Sequence, residues 1–161
     1  MGSQSLLSLG ALIILAFLSL QFNSSVLGNS TTEIEDKVYL TAFSLADDLI
    51  EEIKEKAFDE KTIDFQAIAV NQLTSADALT HESGEGWPNF DDIDDYNGYQ
   101  KLVDLPHAEG YDISCKVNYA DSDGNDITTQ SYFKKVTITV TSKYMRDPFS
   151  ISFIFSLRSK N

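Results

Sequence analysis

The chain begins with a long apolar stretch that carries no charged side chain before Glu33. As an α-helix, the part from Leu6 to Leu27 would be roughly 33 Å long, which is enough to cross the hydrocarbon layer of a membrane. The pattern therefore predicts a hydrophobic N-terminal helix over residues 1–28 that anchors the chain through residues 6–27. A cleaved secretory signal peptide is the alternative, although a basic region is lacking because no Lys or Arg precedes Lys37.

After the apolar stretch, hydrophobic residues recur at helical spacing with charged residues between them. This pattern predicts an amphipathic helix with one buried face, formed by Ile34, Val38, Leu45, Leu49, Ile53 and Phe58. Gly28 weakens a helix, and Ser30-Thr31-Thr32-Glu33 has the form of a capping box that begins one. Two helices and one bent helix both fit this junction.

The remaining chain divides into a loop region, residues 59–110, and a strand region, residues 111–158. The first is irregular and turn-rich, whereas the second alternates strictly between apolar and polar residues. The alternation predicts three strands with one apolar face, formed by Tyr111, Ile113, Cys115, Val117 and Tyr119, by Val136, Ile138 and Val140, and by Phe149, Ile151, Phe153, Phe155 and Leu157. Turns at residues 121–126 and 146–148 would connect them as an antiparallel meander.

These elements predict an α+β fold, in which a long N-terminal helix packs its amphipathic half on an antiparallel β-meander. An antiparallel sheet with one apolar face needs a cover, and the helix from Ile34 to Phe58 is suited to that role. Residues 29–161 would then form one acidic domain beyond the anchor. Cys115 lies on the apolar face, where we expect a small core residue without chemistry.

The net charge and the residue types that could carry out chemistry narrow the possible classes of function. A formal net charge of -13 disfavours nucleic acid as a partner and favours calcium or a basic protein surface. The single cysteine excludes an intrachain disulfide, and neither His81 nor His107 stands at a zinc-ligand spacing. Because phosphate-binding glycine loops and nucleophile elbows are also absent from the sequence, we predict a protein that is not an enzyme and needs no cofactor other than calcium.

Two acidic clusters are candidate calcium sites, since short oxygen ligands suit a hard cation. The first comprises Asp91, Asp92, Asp94 and Asp95, and the second comprises Asp121, Asp123, Asn125 and Asp126 around Gly124. An acidic surface loop explains the first cluster equally well. A solvated hairpin turn is favoured for the second.

The order of parts resembles a type IV pilin or pseudopilin: a hydrophobic helix that runs into an amphipathic one, a variable loop, and an antiparallel meander. The string from Phe90 to Tyr99 is similar to the acidic "DDxDDYxGY" string of minor pilins of the mannose-sensitive haemagglutinin type. Residues 133–140 resemble the basic entry into a pilin sheet strand. The family usually has a basic leader that ends in Gly and a Glu at the fifth mature position, but this chain has only Met1-Gly2 and carries Leu7 there.

The resemblance implies a structural, membrane-anchored subunit of a type IV pilus or a type II secretion-like filament, and it implies processing at Gly2. Its partners would be other pilin-like subunits and the assembly machinery. Its domain would lie in the periplasm or outside the cell, with the anchor in the cytoplasmic membrane. The alternatives are a secreted protein and a membrane-tethered binding module, in which the loop from Leu79 to Gly110 presents Trp87, Tyr96 and Tyr99 to a partner.

Overall fold

The computed structural model describes residues 2–63, 69–105 and 108–157, in two compact units, Met1–Val38 and Tyr39–Asn161. Helix α1 spans Ser3–Lys54, and a single helical turn, α2, spans Glu60–Ile63. Two short 3-10 turns follow, at Val70–Gln72 and Asp94–Tyr96. The strands are β1 (Gln100–Leu105), β2 (Ala108–Ala120), β3 (Asp126–Ile127), β4 (Phe133–Ser142) and β5 (Phe149–Ser156).

Helix α1 is one uninterrupted α-helix of 52 residues. It passes through Gly28 and residues 30–33, so the capping-box pattern there does not begin a second helix. The side chain of Ser30, which the capping box requires, lies outside the described part of the chain. Glu33 instead forms an ion pair with Lys37 one turn later, at 2.7 Å, which is the spacing that stabilises a continuing helix.

In the first compact unit, the apolar side chains of α1 from Leu6 to Leu27 are exposed. They include Leu6, Leu7, Leu9, Leu12, Ile13, Ile14, Leu15, Phe17, Leu18, Leu20, Phe22, Val26 and Leu27. Among the described residues, α1 is the one helix whose length and hydropathy suffice to cross a membrane, and its most apolar window is 0% buried. A signal sequence at an N-terminus has the same properties.

In the second compact unit, the end of α1 contributes one face to the core. The buried residues of this face are Ala42, Ala46, Leu49, Ile50 and Ile53. The predicted face is correct at Leu49 and Ile53, but Ile34 is 61% exposed. Phe58 is buried beyond the end of the helix rather than within it.

The sheet is antiparallel and five-stranded, with strand order β1-β2-β4-β5 and the short β3 also paired with β2. Because β4 pairs with β2 over residues 111–120, β1 and β3 occupy the opposite edge of β2. The three predicted strands are present as β2, β4 and β5. Strand β1 lies inside the segment that the sequence predicted as loop.

Alternate residues of β2 and β4 form the buried face of the sheet. Register pairs Val117 with Val136 and Cys115 with Ile138, and all four side chains are buried. Edge strand β5 is covered less completely than its alternation predicted, since Phe153 remains 38% exposed. The core therefore lies over the middle strands.

Side-chain contacts join α1 to the last strand and the turn before it. The rings of Phe43 and Phe149 meet edge to face with centroids 6.0 Å apart. The hydroxyl of Tyr39 donates to the backbone carbonyl of Asp147 at 3.1 Å. The α+β fold class, with a long N-terminal helix packed on an antiparallel sheet, is thus confirmed.

Two leucines of α1 test which face of the helix stabilises the domain. Leu49→Ala should lower the free energy of unfolding by about 2–5 kcal/mol, because it removes a buried side chain and leaves a cavity. Leu40→Ala is the matched control: Leu40 is 65% exposed, so the change should stay within about 0.5 kcal/mol. Urea unfolding of the detergent-solubilised full chain measures both, and equal losses would show that the buried face is assigned incorrectly.

Candidate functional site: a buried lysine and the acidic turn

A lysine side chain lies inside the core, on strand β4. Lys134 is 0% exposed, and its ammonium nitrogen lies 2.9 Å from Oδ2 of Asp59 and 2.6 Å from Oδ1 of Asp94. The same nitrogen donates a hydrogen bond to the backbone carbonyl of Phe58 at 2.6 Å. A buried charge is tolerated only when it is paired and hydrogen-bonded, and this ammonium is paired with two carboxylates and hydrogen-bonded to Asp59 and to a backbone carbonyl.

Asp59, just after α1, is the most completely bonded carboxylate of the site. Besides Lys134, it accepts hydrogen bonds from the amide and hydroxyl of Thr74, from the amide of Lys61 and from the hydroxyl of Tyr119. Burial raises the pKa of Asp59, but the charge of Lys134 and these hydrogen bonds outweigh it and hold the pKa below its usual value. Asp59 is therefore an ionised partner of Lys134.

Residues 91–96, the acidic turn, present the second partner. Oδ1 of Asp92 accepts from the amides of Asp94 and Asp95 at 2.6 and 3.2 Å. Oδ2 of Asp95 accepts from the amides of Asp91 and Asp92 at 2.9 and 3.1 Å. Two aspartates thus hold the backbone of the turn, which fixes the position of Asp94 opposite Lys134.

Negative charge exceeds positive charge in this site. Four buried carboxyl groups, those of Asp59, Asp92, Asp94 and Asp95, lie around the single ammonium of Lys134. Burial, with the neighbouring charge of Asp94, raises the pKa of Asp92 to about 8. Burial also raises the pKa of Asp94 to about 6, against the attraction of Lys134. The acidic turn therefore retains protons at pH values where an exposed aspartate has lost them.

Aromatic rings enclose the lysine and connect the turn to α1. The Lys134 nitrogen lies 4.6 Å from the ring centroid of Phe58 and 5.4 Å from that of Tyr119, within the range of a cation–π contact. The hydroxyl of Tyr96 donates to Oε1 of Glu52 on α1 at 2.7 Å. These contacts close the site to solvent on the helix side.

The structure corrects one interpretation of the first acidic cluster. Asp91 is exposed, but Asp92, Asp94 and Asp95 are buried, so the cluster is not an acidic surface loop. Calcium binding by all four residues stays a prediction, and Asp94 already faces Lys134. These residues do not act as one exposed group.

Sequence reasoning missed Asp59 and Lys134. A signal for Lys134 was available: it precedes Val136 by two residues, so strict alternation places it on the same apolar face. Its charge, taken alone, favoured a solvated position. Nothing in the irregular sequence around Asp59 indicated its role.

The second acidic cluster forms a hairpin turn with internal hydrogen bonds. Asp121 accepts from the amides of Asp123 and Asn125 at 2.9 and 2.8 Å, and from the side-chain amide of Asn125 at 2.9 Å. These bonds from Asn125 hold the pKa of Asp121 below its usual value. Asp126 forms an ion pair with Lys135. The turn alternative accounts for all of these residues, and calcium binding by them stays a prediction.

The proposed recognition aromatics differ in exposure. Tyr96 is fully buried and Tyr99 is half-buried, so these two pack within the loop rather than on a surface. Trp87 is 46% exposed, donates to Oε1 of Glu52 at 3.1 Å and has the Lys101 nitrogen 4.1 Å from its ring centroid. Only Trp87 of the three is available to a partner in this structure.

The remaining residues considered in the sequence analysis are the cysteine, the two histidines and Gly2. Cys115 is buried, as predicted, and burial raises the pKa of its thiol to about 12. His81 is exposed, and its ring stacks on Phe90 with centroids 6.1 Å apart. His107 lies outside the described residues. The carbonyl of Gly2 accepts hydrogen bonds from Ser5, and processing at Gly2 stays a prediction.

The ion pairs of Lys134 hold together segments that are distant in sequence. Lys134 joins the chain that leaves α1, at Asp59, to the acidic turn, at Asp94, and to strand β4. Its charged groups are buried in the core, away from any substrate in solution. The chemistry that the site supports best is structural.

No family model, no curated protein and no solved structure matches this chain.

Substitutions of two neighbouring lysines on β4 test how much the buried ion pairs contribute to the free energy of unfolding. Lys134→Met should lower the free energy of unfolding by about 3–5 kcal/mol, since it leaves buried carboxylates without a counter-charge. Lys135→Met removes the partly exposed ion pair with Asp126 and a hydrogen bond to the backbone carbonyl of Gly124, and it should cost at most about 1 kcal/mol. Denaturant unfolding at pH 7 compares them. Similar costs would contradict the structural role of Lys134.

The raised pKa values predict an unusual pH dependence of stability. Between about pH 4 and 6 the folded protein holds protons on Asp92 and Asp94 that the unfolded chain has released, and up to about pH 8 it still holds the proton on Asp92, so the free energy of unfolding should fall as pH rises through this range. Below that window the trend reverses, because Asp59 has a lowered pKa and its contribution is lost as pH falls. Melting temperatures from pH 3 to 9 in EDTA measure both limbs.

Asp92→Asn removes one titrating group while it keeps an oxygen to accept the amides of the turn. In this variant the free energy of unfolding should fall less steeply with pH above pH 5. Asp123→Asn changes the net charge equally at the exposed hairpin turn and should leave the decline unchanged. A decline that persists in full in Asp92→Asn would show that Asp92 is not its source.

Proposed function

We propose that this protein is a structural, membrane-anchored, pilin-like subunit. Its N-terminal helix would hold it in the cytoplasmic membrane and then pack against equivalent helices in a filament. The observation that carries the proposal is α1 itself, which continues without interruption from an exposed apolar segment into the core of the domain.

The exposed apolar surface of α1 requires a cover. Soluble monomers rarely expose large contiguous apolar patches, whereas Leu6, Leu12 and Leu20 are all more than half exposed, as are most apolar residues around them. Lipid and the apolar faces of other helices are the two environments that accept such a surface. A pilin-like subunit would use them in turn.

Polar residues in the later part of the segment favour contact between helices. The side chains of Ser19, Gln21, Asn23, Ser24 and Ser25 are exposed on α1. Hydroxyl and amide groups in a lipid-facing span are stabilised by hydrogen bonds across a helix–helix interface. These residues are therefore suited to an interface between subunits.

The acidic domain is suited to the aqueous side of the membrane. It accounts for the negative charge of the chain, because residues 1–32 carry no charged side chain. Its exposed carboxylates would keep neighbouring subunits soluble and repel anionic headgroups. We place the domain in the periplasm or outside the cell.

Leu7 sets this chain apart from the usual pilin pattern. Pilins that carry Glu at that position are thought to use it to register an incoming subunit, and Leu7 offers no charge for that pairing. A subunit of this type would be registered by other contacts, for which the polar residues 19–25 of α1 are available. It would then resemble the minor pseudopilins that lack the Glu.

Single cysteines on α1 test the proposal. Leu12→Cys and Leu20→Cys should form bismaleimide-linked dimers or ladders in membranes of a cell that contains pilus assembly machinery. Thr128→Cys, on the exposed surface of the domain, and the unmodified chain with its buried Cys115 are the controls. Purely monomeric protein in all samples would contradict the filament role.

Extraction and N-terminal sequencing separate the alternatives. An anchored subunit should remain in the membrane pellet after alkaline carbonate treatment, with a start at or near Gly2. A mature start beyond Ser25 together with release into the soluble fraction would identify a secreted protein and overturn the anchor. Anchoring without any cross-link would favour a tethered binding module.

A further inference from the structure

We propose that Glu82, Glu85 and Asp95 form a binding site for Ca²⁺. Each residue offers one carboxylate oxygen, and these three oxygens lie within 4.8 Å of one another. The site differs from both acidic clusters found in the sequence, because two of its residues come from the loop before them. It is independent of membrane anchoring and filament assembly.

A tight turn brings the two glutamates together. The amide of Glu85 donates to the carbonyl of Glu82 at 3.1 Å, and Gly84 between them has a φ of 95°. A positive φ is readily available to glycine and is costly for other residues. The turn places the two glutamate side chains where they can share one ligand.

Asp95 supplies the observation that distinguishes this site from a mere group of surface acids. It is 1% exposed, and its Oδ2 accepts two backbone amides of the acidic turn. Its Oδ1 is buried and has no hydrogen-bond partner among the described residues. Buried carboxylate oxygens are rarely left unsatisfied, so we infer that Oδ1 is the Asp95 oxygen that would share a ligand with Glu82 and Glu85.

The donor set and its spacing select the ion. All three ligands are carboxylate oxygens, which suit a hard cation and offer neither the nitrogen nor the sulfur that zinc and copper prefer. Calcium binds oxygen at about 2.3–2.6 Å, so two ligands on opposite sides of one ion lie about 5 Å apart. Magnesium, at about 2.0–2.1 Å, demands near-ideal octahedral geometry and loses its water reluctantly, so three carboxylates on an open rim suit calcium better.

The surroundings supply negative charge and space for further ligands. Glu60 and Asp91 lie close enough for the charges of Glu85 and Asp95 to raise the pKa of each, in addition to the effect of burial. Glu82 is exposed and Glu85 half-buried. Water can therefore complete a coordination shell of six to eight oxygens. Three protein carboxylates on an open rim suggest an affinity of about 10⁻⁴–10⁻³ M, as in extracellular calcium modules.

Calcium titration of the detergent-solubilised full chain tests the site by two readouts. At 10 mM Ca²⁺ the melting temperature should rise by at least about 4 °C. Tb³⁺ bound in place of calcium should show luminescence sensitised by Trp87, the single tryptophan, which is two residues from Glu85. Mg²⁺ at the same concentration should produce a smaller rise.

Three variants locate the ion. Glu82→Gln and Glu85→Gln, both at solvent-accessible positions, should each weaken calcium binding at least about 10-fold and should leave the melting temperature in EDTA at or above that of the parent protein. Asp95→Asn keeps an acceptor for the turn and should abolish binding. Asp123→Asn, in the other acidic turn, should bind as the parent does.

Each contrary result would overturn the proposal. It fails if calcium gives no shift in the parent protein, if the shift survives in both glutamate variants, or if Asp123→Asn abolishes it. Loss of binding in Asp95→Asn alone, with the glutamate variants unaffected, would move the site to the acidic turn and also count against it. None of these outcomes bears on the cross-linking of α1, so the two proposals fail separately.

Discussion

The buried charge of Lys134 is the constraint on which the rest of the domain depends. Removing an ammonium from water costs several kcal/mol unless its partners are placed accurately. Here the partners come from two segments: the carbonyl of Phe58 and the carboxylate of Asp59 just after α1, and the carboxylate of Asp94 in the acidic turn. A shift in any of these segments would leave a charge unpaired, so one interaction fixes the end of the helix, the loop and strand β4 relative to one another.

An apolar core of the same volume would be at least as stable as a buried ion pair in many proteins. Here the ionic site adds a directional constraint on the segments that it joins. The described part of the loop between α1 and β1 has little regular structure, and its packing rests on scattered buried side chains such as Phe58, Phe90 and Tyr96. Asp59 and Asp94 hold it at two points through geometry that apolar contacts do not specify. The acidic turn, in which aspartates accept the amides of their own backbone, supplies the rigidity that this pairing requires.

The sequence predicted the elements whose hydrophobic pattern is regular. It did not predict the features that depend on a partner elsewhere in the chain. The alternation in β2 and β4 predicted their buried face correctly, and Leu49 and Ile53 indicated the core side of α1. Strand β1 was missed because its exposed residues show little alternation, and it is a strand through its hydrogen bonds to β2. Burial of the aspartates could not be predicted without Lys134, since a carboxylate is expected at the surface unless a counter-charge is known. Ala42 and Ala46 also lie on the buried face, and the spacing of the larger apolar residues alone did not indicate them.

Asp95 connects the two acidic features of the domain. One of its oxygens holds the amides of the acidic turn, and the other has no partner in the described protein. A cation at that second oxygen would bind the same carboxylate that holds the backbone of the acidic turn. The acidic turn also positions Asp94 opposite Lys134. Such a cation would therefore stabilise the core site without touching it. The glutamates of the preceding loop would be held in the same structure, which gives an irregular segment of an acidic domain a constraint beyond its hydrophobic packing.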